Sequence, residues 1–214
     1  MLRFSRDLAT THVPVILTAL LLLAIGYLLG AIPSGYLAGR WLKGIDLRDC
    51  GSGSTGATNV LRNVGKGPAL VVFLIDVGKG ALAVLLAKSV GLSDWLQVLA
   101  GLAALAGHIW PVWLGWKGGK AVATGLGMFL GLAWPVGLAC FGLFMAVISI
   151  FRIVSLSSVV AAIGLPLLML LCGGSSAYVA VSLVASLMVL WRHRSNIERL
   201  LAGTEPKIGQ KAKG

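Results

Sequence analysis

Charge is what this chain has least of. Only 12% of its 214 residues are charged, against about 25% in an ordinary soluble domain. Acidic residues are the scarcest part of that set, with seven Asp and Glu against eighteen Lys and Arg. So little charge cannot cover a water-facing surface, and a soluble globular domain is excluded. Cysteine is nearly absent too. Cys50, Cys140 and Cys172 are odd in number and no pair has metal-ligand spacing, so neither a disulfide framework nor a zinc site is indicated. They read as inert small residues. No metal and no cofactor is expected, and no lipidation motif is present.

What fills the chain instead is long uncharged sequence, with a mean hydropathy of +0.92. Residues 13–39 carry no charge over 27 positions, too long for the ~7–15 residues of a signal core. They read as a retained first span with a kink at Pro33. A second span is expected over 67–87 and a third within 95–116. The uncharged stretch 121–151 is broken by Trp134-Pro135. Its pieces reach only ~20–24 Å at 1.5 Å per residue, which predicts short helices or a re-entrant hairpin. Residues 153–191 divide at Gly173-Gly174-Ser175-Ser176 into two more spans. The expected fold is all-α, a polytopic membrane protein of about seven transmembrane helices, some short or re-entrant. It is one membrane domain over 1–214, with an external flank at 1–12, a basic tail at 200–214 and no soluble domain.

The net charge of +11 would suggest nucleic acid in a soluble protein. Set between apolar spans, it points to anionic headgroups or substrates instead. Fourteen of the eighteen Lys and Arg fall in the segments 40–66, 117–120, Arg152 and 192–214, and only Arg3, Arg6 and Lys88 lie on the other side. The positive-inside rule then predicts a cytoplasmic C-terminus and an external N-terminus. The seven tryptophans read as interfacial anchors, and His12 as a solvated flank residue. Every glycine-rich or polar cluster falls on the same, cytoplasmic, side.

The densest cluster runs Asp46-Leu-Arg48-Asp-Cys-Gly51-Ser52-Gly53-Ser54-Thr55-Gly56-Ala-Thr58-Asn59. Gly51–Gly56 fits G-x-G-x-x-G, with Asp76 twenty residues on, but no buried strand precedes it and Asp76 sits inside a span. The dinucleotide reading is rejected. The physics of such loops transfers: glycines let backbone N–H groups converge on an oxyanion. A flexible linker is the competing reading. A second cluster, Gly107-His108-Ile-Trp-Pro111 to Gly118-Gly119-Lys120, places a cation at a helix start. That is unfavourable unless an anion lies between. Ser155, near the lone Arg152, reads as a helix cap or a site residue. His193 and Asn196, three apart, share a helix face. His193 and Glu198 have the H-x4-E spacing, close to the H-x4-D of thioester-dependent acyltransferases. Asp76 and Lys79, at i and i+3 within the second span, read as a structural pair.

Taken in order, these motifs resemble the bacterial acyl-phosphate:glycerol-3-phosphate acyltransferase family. The likeness is carried by Asp46-Leu-Arg48, Gly51-Ser52-Gly53, Gly56-Ala-Thr58-Asn59-Val-Leu-Arg62, Gly107-His108-Ile-Trp-Pro111, Gly118-Gly119-Lys120, Ser155 and His193–Asn196. The resemblance implies a seven-helix enzyme of the bacterial inner membrane with a cytoplasmic active site. Its reaction joins a fatty acyl group from acyl phosphate to sn-glycerol 3-phosphate, giving lysophosphatidate and phosphate. Catalytic roles are implied for Ser52, Arg62, Lys120, His108 and His193. Substrate-binding roles are implied for Gly51, Gly53, Asn59, Gly118, Gly119, Ser155 and Asn196. The general base stays open between His108, His193 and the substrate's own phosphate. The implied partners are acyl phosphate, glycerol 3-phosphate, membrane lipids and a soluble enzyme that forms acyl phosphate. Ser54 stands where the family usually has Asn, and residues 1–12 are extra to its pattern. A membrane transporter for glycerol phosphate or another anion is the alternative from a different class, and would need polar groups reaching both faces.

Overall fold

The computed structural model describes the backbone of residues 2–210 and the side chains of 15–210. The expected flank, His12 and the last residues of the tail fall outside the described side chains. Ten α-helices follow one another, with no strand among the described residues: α1 Leu2–Ala31, α2 Ser34–Lys43, α3 Ala57–Asn63, α4 Lys66–Ser89, α5 Asp94–Ile109, α6 Val122–Leu132, α7 Trp134–Phe151, α8 Val154–Leu171, α9 Ser176–Arg192 and α10 Arg194–Leu201. Five are long and apolar enough to cross a membrane, counting α1 and α2 as one span, and α9 makes a sixth if its 62° bend into α10 is included. The seventh apolar segment, α6, has 11 residues, or ~16 Å. Seven apolar segments were expected, but only α6 is short. The 18 residues of α7 are enough to cross. The two part at Ala133, beside the Pro135 that occupies the first turn of α7.

The packing is inside out relative to a soluble protein. Leu17, Leu20, Leu74, Leu167, Leu170 and Leu187 are exposed, while Ala31, Ala87, Ala100 and Ala104 are buried. Lipid tails solvate leucine as well as another helix would, so close backbone approach through small residues holds the bundle together. Against α5, a Cβ on Gly30 would lie 2.0 Å from the Ala104 carbonyl oxygen. Between α4 and α6, a Cβ on Gly127 would lie 1.8 Å from the carbonyl of Val77. Helix α5 is the central element, and α7 faces outward over most of its surface. Trp95 and Trp134 are exposed at one end of the bundle and Trp41, Trp113 and Trp116 at the other, as interfacial anchors should be.

Two breaks have partners that explain them. Pro33 ends α1, and the Ile32 carbonyl left at the break accepts from Ser34 N–H at 3.0 Å and from Lys79 Nζ at 3.2 Å. The last carbonyl of short α6, on Leu132, accepts from Lys88 Nζ at 2.8 Å. That bond closes a helix end that would otherwise face hydrocarbon.

Candidate active site

The loop after α2 is shaped by two residues. Asp46 Oδ1 accepts from the Arg48 backbone N–H at 2.9 Å, capping the short turn Leu47–Asp49. The Arg48 guanidinium closes on the same carboxylate, with Nη2 at 2.6 Å, and holds Asp46 below the usual carboxylate range. Arg48 Nη1 also donates to the Leu114 carbonyl at 3.0 Å, which ties this loop to the one after α5. Asn59 does the rest. Its Nδ2 donates to the carbonyls of Leu47, Cys50 and Ser54, each at 2.9 Å. Its Oδ1 accepts from Ser52 N at 3.3 Å and Asn63 Nδ2 at 2.9 Å. Gly51 and Gly53 supply the left-handed turns, at φ +57° and +65°, that few other residues adopt. Asn59 is thus committed to folding the loop, and Ser52 is left at its rim.

The second motif has a geometry the sequence did not suggest. Gly118 N–H donates to the Ile109 carbonyl at 3.1 Å and Gly119 N–H to that of His108 at 3.0 Å. A Cβ on Gly119 would lie 2.1 Å from His108 Nε2. The glycine pair therefore serves the end of α5, and its N–H groups are not free to cradle an anion. Lys120, next in the chain, is delivered into the site, where its Nζ donates to Asn196 Oδ1. Behind His108 lies the Asp76–Lys79 pair, 2.8 Å apart and almost wholly buried. The expectation of a pair holds, with more partners than i,i+3 spacing could reveal. Asp76 Oδ1 accepts from Ser34 Oγ at 2.7 Å and lies 3.7 Å from His108 Nδ1.

The third group is gathered by a residue that sequence reasoning missed. After α10 the chain folds back, Ile208 N–H donating to the Arg152 carbonyl at 2.8 Å. This return brings Glu205 into the site. Its Oε1 accepts from Ser155 Oγ at 2.7 Å and Asn196 Nδ2 at 2.6 Å, and Oε2 accepts from Arg199 Nε at 2.7 Å. Burial works against this charge, but the bonds from Ser155, Asn196 and Arg199 outweigh it and hold Glu205 below its ordinary value. Ser155 is therefore no helix cap. His193 Nδ1 lies 2.8 Å from the Val189 carbonyl. That bond assigns the proton to Nδ1 and leaves Nε2 as an acceptor. Glu198, the partner of the H-x4-E spacing, is exposed and does not reach the site.

These groups surround one polar cavity of about 130 Å³. Ser52, Asn59, Arg62, His108, Lys120, Ser155, His193 and Asn196 all line it, as do Ser54, Asp76 and Glu205. Gly51, Gly53, Gly118 and Gly119 stand behind the lining. Ser54, where a longer amide was expected, turns inward and accepts from Gly56 N–H at 3.4 Å. Of the charges on the wall, Asp76 is paired with Lys79 and Glu205 with Arg199. Arg62 makes no hydrogen bond or ion pair among the described residues, and Lys120 has only a neutral amide. The cavity thus carries two cations free to meet an anion. Burial pushes Lys120 down to about 8, with Glu205 opposing and Arg199, Arg192 and Arg62 adding to the fall.

A second cavity, of about 100 Å³ and almost purely apolar, continues from the first between α4, α5, α6, α7, α8 and α9. The two share Phe73, Val122, Ala123, Phe144 and Ser158 as walls. Room for a phosphate thus lies directly against room for a hydrocarbon chain, the two sharing five wall residues, inside a membrane bundle. That is the arrangement of an integral membrane enzyme acting on a lipid chain and a charged group together.

Comparison with known proteins gives this class its family. The family described as glycerol-3-phosphate acyltransferase matches residues 20–203. A glycerol-3-phosphate acyltransferase of Parasynechococcus marenigrum (strain WH8102) is 92% identical over 212 residues, covering 99% of this chain and 100% of the relative. One from Prochlorococcus marinus (strain MIT 9313) is 71% identical over 89% of this chain and 95% of its own. Among solved structures, PlsY, an integral membrane glycerol 3-phosphate acyltransferase, in its glycerol 3-phosphate form, superposes with a TM-score of 0.85. It is 41% identical, and the match covers 89% of this chain and 96% of that one. Its lysphosphatidic acid form superposes at 0.83. The chain belongs to the glycerol-3-phosphate acyltransferase family and is an integral membrane acyltransferase.

Proposed function

We propose that this protein transfers a fatty acyl group from acyl phosphate to sn-glycerol 3-phosphate, giving lysophosphatidate and inorganic phosphate. The observation that carries the reading is the junction of the two cavities, with two unneutralised cations on the polar side and an apolar passage on the other. Acyl phosphate is a mixed anhydride whose leaving group is already good. The protein needs chiefly to hold two phosphates, align one hydroxyl and stabilise the charge that develops.

In this reading the glycerol hydroxyl attacks the acyl carbonyl carbon. The new ester C–O bond forms as the carbonyl–phosphate bond breaks, and phosphate departs with the electron pair. Arg62 neutralises phosphate as a fork and Lys120 as a point charge. Ser52, at the loop rim, donates its hydroxyl to an anionic oxygen. Ser155 and Asn196, held by Glu205, form the polar wall for the glycerol phosphate. His193 Nε2 is an acceptor for the proton of the attacking hydroxyl, and the phosphate oxygens in the same cavity are the other. The acyl chain occupies the apolar cavity. Among the described residues no serine–histidine–carboxylate arrangement supports an acyl-enzyme, and the exposed Glu198 gives no support to a thioester-type pair with His193. A transporter would need polar groups reaching both ends of the bundle, whereas the polar cavity here lies at one.

The same reading puts the protein in the bacterial cytoplasmic membrane, with the N-terminus outside and the cavity and tail facing the cytoplasm, where a soluble enzyme would supply acyl phosphate. The test is phosphate release by purified protein given palmitoyl phosphate, with and without glycerol 3-phosphate, and palmitoyl-CoA in parallel. Release that requires glycerol 3-phosphate, with lysophosphatidate formed and the thioester unused, is expected. Turnover of the thioester alone would overturn the assignment of the donor.

A further inference from the structure

We propose that Gly125 sets the width of the passage for the acyl chain and thereby decides which acyl donors the enzyme accepts. The inference rests on the reading that the apolar cavity holds the acyl chain, and it goes on to name the residue that controls entry.

Helices α6 and α7 carry five glycines, and four have local explanations. A Cβ on Gly127 would meet the Val77 carbonyl oxygen at 1.8 Å, one on Gly137 the Leu130 nitrogen at 2.8 Å, and one on Gly131 the Val84 side chain at 3.0 Å. These three are closed by helix packing. Gly142 has nothing within 4 Å and lies on the exposed, lipid-facing side of α7. Gly125 is different. Its Cβ would meet only Leu105 Cδ2, at an ordinary 3.8 Å, so no neighbour requires glycine there. Its backbone is ordinary helix and needs no positive φ. Alanine is favoured over glycine in a helix interior, so local stability does not ask for glycine either. What the missing side chain leaves open is the apolar cavity, which Gly125 lines.

Its place along the passage follows from helix geometry. Val122 and Ala123 belong to both cavities, while Gly125 belongs to the apolar one alone. At 1.5 Å per residue it stands ~3–4.5 Å beyond the junction. That is the level of the first few methylenes after the carbonyl, so a side chain added at Gly125 would make a neck there. A chain long enough to matter has to pass it, whereas an acetyl group ends before it. Phe129, one turn further on, lines the deeper part of the same cavity.

The experiment compares Gly125→Ala, Gly125→Val and Gly125→Leu with Gly142→Val as the lipid-facing control. Acetyl, butanoyl, octanoyl and palmitoyl phosphate serve as donors, and thermal unfolding in detergent is followed in parallel. The expected result is a graded loss of kcat/KM for palmitoyl phosphate in the order Ala, Val, Leu, reaching roughly tenfold or more, since one methylene in an apolar pocket discriminates by about 10–200-fold. Acetyl phosphate should be used as by the parent, KM for glycerol 3-phosphate should not move, and Gly142→Val should be silent. Gly125→Ala should unfold no earlier than the parent, which separates a blocked passage from a misfolded bundle. Parallel loss on every donor, or no loss on any, overturns the role of Gly125. A parent protein that turns over glycerol 3-phosphate only with a thioester overturns instead the choice of donor. The same variants measured against short- and long-chain thioesters would still read the neck.

Discussion

Lys120 is the residue whose charge matters most and is held least securely. Its only hydrogen-bond partner among the described residues is the Asn196 amide, and burial pushes it down to about 8. It is a cation below that pH and neutral above it. If its cation neutralises substrate phosphate, kcat/KM should fall as pH rises through about 8, because that parameter reports the free enzyme. Lys120→Arg should carry the limb out of range, since a guanidinium stays protonated. Lys120→Met should cost roughly 10²–10³ in kcat/KM at neutral pH, by analogy with the loss of one anion-stabilising donor. A pH profile of parent and both variants checks this, and a limb that persists in Lys120→Arg assigns it elsewhere. Asp76 and Lys79 make a second case. Removing one partner of a buried pair costs about 3–5 kcal/mol. Asp76→Asn and Lys79→Met should each unfold far more easily than the parent, while the double variant should lose less than the two together. A double-mutant cycle on thermal unfolding measures the coupling. At this scale the sequence was informative wherever a side chain acts close to its own motif. The eight polar and charged side chains to which the resemblance gave roles line one cavity. It was silent on Glu205, which meets Ser155 from fifty positions away through a turn of the tail that has no motif. Its only signal was a carboxylate in an otherwise basic segment. The packing of Gly118 and Gly119 on the end of α5 was not legible, because glycine permits close approach without saying to what.

At the scale of elements, uncharged runs and their interruptions located the apolar helices, because a bilayer forbids charge and unsatisfied backbone alike. Pro33, Pro135 and the Gly173–Ser176 turn stand at or beside real breaks. What periodicity could not show was length within a run: α6 stops at 11 residues while α7 continues for 18. The break falls beside Pro135, and the Leu132 carbonyl it leaves is met by Lys88 from α4, a tertiary contact. The short α3 was invisible in the same way, while α2 was read as the end of the first span and α10 only as the helix face shared by His193 and Asn196. The α4–α6 seam gives the element its prediction. Gly127→Val would drive a side chain into the Val77 carbonyl, and overpacking of this kind costs about 1–3 kcal/mol or more. Lower thermal stability together with weaker use of both substrates is expected, because α6 carries Lys120 at its start. Circular dichroism melts and steady-state kinetics on one preparation check both halves.

Across the whole molecule, the polar cavity lies at one end of the bundle, and the native cysteines report which end faces which compartment. Cys50 sits in the loop beside the cavity, and Cys172 is exposed at the far end of α8. A membrane-impermeant maleimide should label Cys172 from outside intact cells and Cys50 only in inverted vesicles. The reverse pattern would invert the proposed orientation. The folded-back tail has a bearing on synthesis as well as on structure. Glu205 lies beyond the last apolar helix and yet anchors Ser155 and Asn196. The reactive site is therefore finished only after every membrane segment has left the ribosome and entered the bilayer. A partly inserted chain has the cations and the glycine-rich loop but no assembled wall for the acceptor. If acyl phosphate is the donor, such a chain is in no position to squander an energy-rich anhydride on water while the bundle is still being built.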